Sequence, residues 1–251
     1  MNYFCPNTDC AIHQKGKPFP IMMDCPMCDT PLEAQTSFTA GEEEVLNKYP
    51  YVIAYPFERM LLEDDGRNKL ELLAYTFLNG LKLWGLVLAS EYFWSPLKSA
   101  KINELFRNNL YQPSFGNWNS FLRETIAVME KENVQLLFPE FLEAYKDAEI
   151  GKNARKYKTE SPYTNDEGQT AWRKTELTAI GTLINFRNRY LGHGLPLSKA
   201  EYAEIYIEIY PVLSDFLQAL HFTADLQLLR HEGAETYSLQ GKKVTQIANA
   251  S

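Results

Sequence analysis

The first residues lack both a basic segment and an apolar core, so we expect no N-terminal export signal. The sequence also lacks an uninterrupted apolar run of the roughly 20 residues that a membrane helix needs. Its most apolar stretch, residues 70–94, contains Glu71, Asn79, Lys82 and Glu91. We therefore expect a cytoplasmic protein that does not associate with membranes, and in which this stretch forms a buried helix.

An excess of positive charge is also missing, since the formal net charge is −7 and the pI is near 5.3. Such a protein does not coat nucleic acid through its overall charge, so any site for a polyanion has to be local. The four histidines include no helical His-x-x-x-His pair. We find no glycine-rich phosphate loop, nucleophile elbow or paired-carboxylate motif either, and these absences disfavour a metal-dependent hydrolase.

Cysteine is confined to the first 28 residues, where Cys5 and Cys10 form one pair and Cys25 and Cys28 form a second. Two short pairs separated by fourteen residues can present four thiolates to one tetrahedral ion. A proline follows the first cysteine of each pair, as in the paired knuckles that this segment resembles in zinc ribbons. The pattern predicts a zinc ribbon over residues 1–35.

Two other interpretations of the cysteines remain open: two disulfides or four free thiols, and a site in which His13 replaces Cys10. We prefer four cysteine ligands, because a closed site of four thiolates leaves no position for a catalytic water. The expected cofactor is therefore one structural zinc per chain, with no catalytic metal. Metal binding would supply stability that a module of this size cannot gain from its small core.

The remaining residues predict a mainly α-helical protein. Residues 36–49 are predicted to form a linker that leads into an acidic helical turn, and residues 50–222 a helical bundle. Within the bundle we expect a helix starting at Ser95, a surface loop over 151–169 and a helix over 170–191. Residues 223–251 form a tail in which the segment around Gly241 can form a β-hairpin.

An arginine and a histidine near the end of the predicted helix 170–191 are candidates for catalysis. Helical spacing places Arg187 on an apolar stripe with Ile180 and Ile184, so it needs an acidic partner, a phosphate or a seam between two subunits. His193 lies between two glycines at the expected helix end, where a near-neutral imidazole can donate and accept a proton. An arginine fork beside such a histidine suits metal-free RNA cleavage.

The segment that carries these residues resembles the signature of HEPN domains and reads Arg187-Asn188-Arg189-Tyr190-Leu191-Gly192-His193-Gly194. The resemblance implies a helical bundle that dimerises through the motif and acts as a metal-independent ribonuclease in a toxin or antiphage defence system. It also implies that Arg187 holds the scissile phosphate, that Asn188 orients the site and that His193 is the acid and base. The expected products are a 2′,3′-cyclic phosphate and a 5′-hydroxyl. A regulatory protein or antitoxin is an expected partner.

One arginine of this motif and four positive residues of the loop 152–158 are candidates for RNA binding, although a solvated charged loop would have the same composition. They are Arg189, Lys152, Arg155, Lys156 and Lys158.

Two other functions remain open from sequence. One is a non-catalytic HEPN-like dimer that binds a nucleotide, RNA or a protein partner. The other is a zinc ribbon that reads nucleic acid, for which Lys15 and Lys17 provide little positive charge.

Overall fold

Helices account for most of the described chain, which confirms the mainly α-helical class. The computed structural model describes residues 2–35, 38–111, 113–150, 154–164, 167–192, 197–232 and 235–249. The α-helices are α1 (Ala11–Gln14), α2 (Ala40–Lys48), α3 (Tyr51–Leu62), α4 (Gly66–Trp94), α5 (Ala100–Leu110), α6 (Phe115–Lys131), α7 (Pro139–Tyr145), α8 (Ala179–Phe186) and α9 (Lys199–Ala219). The strands are β1 (Asn2–Phe4), β2 (Glu33–Gln35), β3 (Tyr157–Thr164), β4 (Thr170–Leu177), β5 (Leu229–Glu232), β6 (Glu235–Ser238) and β7 (Thr245–Asn249).

The chain forms two compact units by the density of its internal contacts. The first contains residues 1–76, 190–214 and 223–251, and the second contains residues 77–189 and 215–222. Antiparallel pairing joins β1 to β2 and orders β5, β6 and β7 in the first unit, and joins β3 to β4 in the second. The boundaries that we predicted at residues 35, 49 and 222 follow sequence pattern rather than contacts, and they stay predictions.

Helix α4 is the central helix that its apolar period predicts. The side chains at successive three- and four-residue steps have no solvent exposure, and they are Leu70, Leu73, Phe77, Leu81, Trp84 and Leu88. By length and composition α4 could also cross a membrane, a test that core helices pass as well. More than half of its most apolar segment, 56%, is buried inside the protein.

Two of the predicted local structures are wrong. The segment 157–177 forms the β3–β4 hairpin instead of ending a loop and beginning a helix, so the predicted helix 170–191 is confirmed only from Ala179 onward. Thr178 ends the strand and caps α8, since its hydroxyl accepts a hydrogen bond from the Gly181 amide at 3.3 Å. Likewise Ser99, not Ser95, caps α5, because the Ser95 hydroxyl donates back to the Tyr92 carbonyl at 2.8 Å.

In the first unit, the C-terminal segment binds the junction between α2 and α3. The Tyr51 amide donates to the Leu239 carbonyl at 2.7 Å, and the Gly241 amide donates to the Tyr49 carbonyl at 2.7 Å. Gly241 has a φ of +66°, and a Cβ there would lie 2.9 Å from the Asn47 carbonyl oxygen, so this turn requires glycine. The predicted hairpin is confirmed as β6–β7, and β5 extends it to three strands.

A buried lysine joins the cysteine-containing segment to the helices of the same unit. The Lys69 ammonium donates to the Pro20 carbonyl at 2.5 Å and the Glu63 carbonyl at 2.9 Å, and it lies 5.1 Å from the Tyr206 ring centroid. Burial lowers the pKa of Lys69 to about 8. The Tyr3 hydroxyl also donates to the Asp64 carboxylate. These contacts fix the segment 3–20 against the loop between α3 and α4.

Candidate functional site

The four cysteines form one cluster that can hold a metal ion. Their sulfur atoms all lie within 4.8 Å of one another, and the Sγ–Sγ distances are 3.6 Å for Cys5–Cys28 and 3.8 Å for Cys10–Cys25. These distances exceed the roughly 2.0 Å of a disulfide bond, so the cysteines are thiols. Each short contact joins one cysteine from each pair, as convergence of two knuckles on a single ion requires.

The surroundings of the cluster favour Cys10 over His13 as the fourth ligand. The His13 Nδ1 donates to the Cys5 carbonyl at 2.6 Å, so this ring supports the first knuckle through its backbone. Burial raises the pKa of Cys5 to about 12, whereas hydrogen bonds from Thr30 lower the pKa of Cys28 to about 6.

A partly buried carboxylate fixes the start of α8, the helix that carries the arginine motif. Glu149 accepts hydrogen bonds from the Thr178 hydroxyl and from the Asn119 side-chain amide, the latter at 3.2 Å. The Tyr145 hydroxyl donates to the same Asn119 at 2.8 Å. Burial raises the pKa of Glu149 above its usual value. This network holds the N-terminus of α8 in place, and the sequence pattern had not indicated it.

Arg187 and Asn188 lie on a π-helical turn, Arg187–Leu191, that continues α8. Both side chains are exposed, and an Arg187 guanidinium nitrogen donates to the Asn188 side-chain oxygen at 3.2 Å. The guanidinium also lies 5.4 Å from the centroid of the Phe115 ring. The expectation that Arg187 faces a packed surface is wrong, because the buried face of α8 runs through Ile180, Leu183 and Phe186, and Arg187 lies beside it. π-Helical turns such as Arg187–Leu191 occur often at functional sites.

Arg189, two residues further along, is bound to the hairpin. Its guanidinium forms an ion pair with Glu160 at 3.1 Å and lies 4.8 Å from the centroid of the Trp172 ring. The Asn185 side-chain amide adds hydrogen bonds of 2.9 Å to the Thr159 hydroxyl and 2.7 Å to the Glu160 carbonyl. Asn185 and Arg189, which lie on either side of Arg187 in the sequence, therefore both contact the hairpin.

Among the other predicted RNA-binding residues, Arg155 has an acidic partner. Arg155 pairs with Asp215 at 2.8 Å, and the Tyr157 hydroxyl donates to the same carboxylate. Lys156 and Lys158 are exposed. His193 and Lys152 lie outside the described residues, so the pairing of Arg187 with His193 and the role of Lys152 stay predictions.

Sequence reasoning missed the exposed residues of β4. Trp172, Arg173 and Lys174 follow one another on this strand and all three are exposed, and Tyr163 is exposed on β3. The aromatic and β-branched residues of segment 170–177 were the available signal for a strand. The local geometry therefore combines an accessible arginine, its asparagine neighbour and a hairpin that exposes aromatic and positively charged side chains. No protein-family model matches this chain, and no curated protein or solved structure is significantly similar to it.

Proposed function

We propose that this protein is a metal-independent endoribonuclease of the HEPN type, with Arg187, Asn188 and His193 as its catalytic residues. The observation that carries the proposal is the state of Arg187. Its guanidinium is exposed, and among the described residues no carboxylate lies within ion-pair distance of it. An arginine in this state keeps most of its planar donor fork available for a phosphate.

The reaction divides between charge stabilisation and proton transfer. The ribose 2′-oxygen attacks the adjacent phosphorus and forms the 2′,3′-cyclic phosphate while the bond from phosphorus to the 5′-oxygen breaks. His193 takes the 2′-hydroxyl proton, and an imidazolium protonates the leaving 5′-oxygen. Arg187 stabilises the charge that develops on the phosphate oxygens. Asn188, which accepts a hydrogen bond from Arg187, orients the guanidinium.

The reaction uses one imidazole as the base and a second, protonated imidazole as the acid, whereas each chain has a single His193. We therefore propose a homodimer in which each chain contributes one Arg187 and one His193 to a composite site. The exposure of Arg187 leaves this residue accessible to a second chain. Light scattering should find a dimer at micromolar concentration. A monomer that cleaves RNA at the full rate would contradict the composite site.

We infer that the ion held by the cysteine cluster is zinc and that its role is structural. Zinc–sulfur bonds of about 2.3 Å in a tetrahedron separate the sulfurs by about 3.8 Å. The distances of 3.6 and 3.8 Å fit this value. Four thiolates complete the coordination sphere, which leaves the chemistry of cleavage to Arg187 and His193.

The biological role that we propose is cleavage of cellular RNA as a toxin or during antiphage defence. A nuclease of this kind requires restraint, and a regulatory protein or antitoxin is the partner that we propose for it. The alternative is a dimer that binds a nucleotide, RNA or a protein without cleaving.

The decisive experiment incubates purified protein with total RNA in EDTA, beside His193→Ala. We expect cleavage by the wild type, 2′,3′-cyclic phosphate and 5′-hydroxyl ends, and a rate for His193→Ala that is about 10²- to 10⁴-fold lower. RNA with a 2′-deoxy group at the cut site should resist cleavage. A requirement for added magnesium, or equal cleavage rates for the two proteins, would contradict the assignment of nuclease activity to this site and favour the non-cleaving dimer.

A further inference from the structure

We propose that the β3–β4 hairpin is a stacking platform that delivers single-stranded RNA to Arg187. The identity of the ligand as RNA rests on the proposed function. The platform itself rests on exposed aromatic rings, on cations without carboxylate partners and on contacts with the end of α8.

The hairpin exposes two aromatic side chains. Trp172 is 47% exposed and Tyr163 is 42% exposed, although a large aromatic ring gains free energy from burial. Arg189 lies 4.8 Å from the centroid of the Trp172 ring and orients it, yet about half of the residue surface remains open. Tyr163 pairs with Ala171, so Tyr163 and Arg173, whose guanidinium lies 5.9 Å from the centroid of the Tyr163 ring, lie on the opposite face of the hairpin from Trp172. Rings that are oriented and accessible in this way suit stacking with unpaired bases.

Cations without carboxylate partners lie beside these rings. Within the described residues, neither Arg173 nor Lys174 has a carboxylate within ion-pair distance, and both side chains are exposed. Lys174 and Trp172 alternate along β4 and therefore share a face of the hairpin. A cation and a ring on one face can contact a phosphate and its base together, as in sites for single strands.

Contacts with α8 place this face next to the proposed catalytic turn. Arg189 binds both Glu160 and Trp172 of the hairpin, and it is separated from Arg187 by one residue. Asn185, two residues before Arg187, binds the Glu160 carbonyl at 2.7 Å. A strand whose base stacks on Trp172 therefore lies close to the end of α8.

The same features select single strands over duplexes. Stacking on Trp172 requires a base that is free of its partner, whereas a duplex presents mainly phosphates. A chain with a formal net charge of −7 has no general attraction for a duplex that would compensate. Because every base has a π face, we expect little sequence preference. Single-stranded DNA should also bind, but it should not be cut because it lacks the attacking 2′-hydroxyl.

This last property provides a probe that separates binding from cleavage. Fluorescence anisotropy with a 5′-fluorescein 12-nucleotide DNA should show binding that is at least tenfold tighter than to the matched duplex. Trp172→Ala should weaken binding about 5-fold or more, the range for loss of one stacked base. Lys174→Glu should weaken binding and lower the slope of log affinity against log salt by about 0.7, the value for one phosphate contact on a single strand.

Two matched controls test whether the effects belong to the hairpin. Trp94→Ala removes an 83% exposed tryptophan at the end of α4, and Lys101→Glu reverses an exposed charge on α5, so neither should change binding. Trp172→Ala also removes the ring beneath Arg189, whereas Lys174→Glu leaves that contact in place. Circular dichroism melting should confirm that each variant is folded.

The two proposals fail separately in this experiment. If Trp172→Ala and Lys174→Glu bind the oligonucleotide as tightly as the wild type while RNA cleavage persists, the platform is wrong and the nuclease stands. If the wild type prefers the duplex, the platform is also wrong. If single strands bind through Trp172 and Lys174 but RNA is never cleaved, the platform stands and the nuclease fails.

Discussion

Replacing Arg187 and Arg189 one at a time separates a functional arginine from a structural one within the same turn. Arg187 is exposed and contacts only Asn188 and the Phe115 ring among the described residues. Arg187→Lys keeps a cation over that ring, so the free energy of unfolding should change by no more than about 0.5 kcal/mol. The lysine loses bidentate contact with the phosphate, and cleavage should fall about 10²- to 10³-fold.

Arg189→Ala should show the opposite balance. It removes a partly exposed ion pair with Glu160, which contributes about 0.2–1 kcal/mol, and a cation–π contact with Trp172, which contributes about 0.5–1 kcal/mol. The expected loss of stability is therefore about 1–2 kcal/mol. Cleavage should fall less than tenfold, because Arg189 positions the turn and does not contact the scissile phosphate.

The assay for this pair combines single-turnover cleavage of an RNA that carries a fluorophore and a quencher with urea unfolding followed by tryptophan fluorescence. The reasoning is refuted if Arg187→Lys cleaves within threefold of the wild type. It is also refuted if Arg187→Lys loses more stability than Arg189→Ala, since Arg187 would then be the residue that holds the turn.

Three further predictions concern the rest of the fold. One tetrahedral site predicts one zinc per chain, and Cys25→Ser should lower the zinc content to less than about 0.1 per chain. Most of the helical circular dichroism signal should remain. Retention of zinc by this variant would contradict the four-cysteine site. Because burial lowers the pKa of Lys69 to about 8, the unfolded chain binds the extra proton above that pH. The free energy of unfolding of the wild type in urea, taken relative to that of Lys69→Met, should therefore rise by about 2 kcal/mol between pH 8 and pH 10. At Gly85 a Cβ would lie 2.6 Å from the Trp118 ring, so Gly85→Ala should reduce stability by about 1–3 kcal/mol. Gly41→Ala, at a helical position with no atom within 4 Å of the new Cβ, should not reduce it.

The features that sequence predicted correctly are those whose determinants are local. The cysteine cluster depends on two short spacings, each contained in one turn, so the pairs alone indicate a shared site. The core face of α4 repeats every three or four residues from Leu70 to Leu88, and this repeat is visible without knowledge of the neighbouring elements. The glycine turn at 241 is local in the same sense.

The features that sequence missed depend on distant partners. No residue of β4 is fully buried, and its partly buried residues all lie on one face. The segment 170–177 therefore lacks a strong apolar alternation, and its strand is stabilised by pairing with β3. The partner of Arg189 is Glu160, 29 residues earlier, and no spacing rule connects the two. The exposure of Arg187 depends on which face of α8 the neighbouring elements cover, and they bury Ile180, Leu183 and Phe186 rather than the stripe through Ile184.

The bonding of residues 239–242 to the junction between α2 and α3 also affects the timing of folding. The Tyr51 amide meets its acceptor, Leu239, only after 188 further residues have been made. At a synthesis rate of about 5–20 residues per second, this delay is roughly 10–40 s. During that time the junction lacks these backbone acceptors and donors, and closing so long a loop carries a large entropy cost. The first unit therefore completes its fold late in translation, whereas the local contacts of the β3–β4 hairpin and α8 can form while the ribosome is still at work.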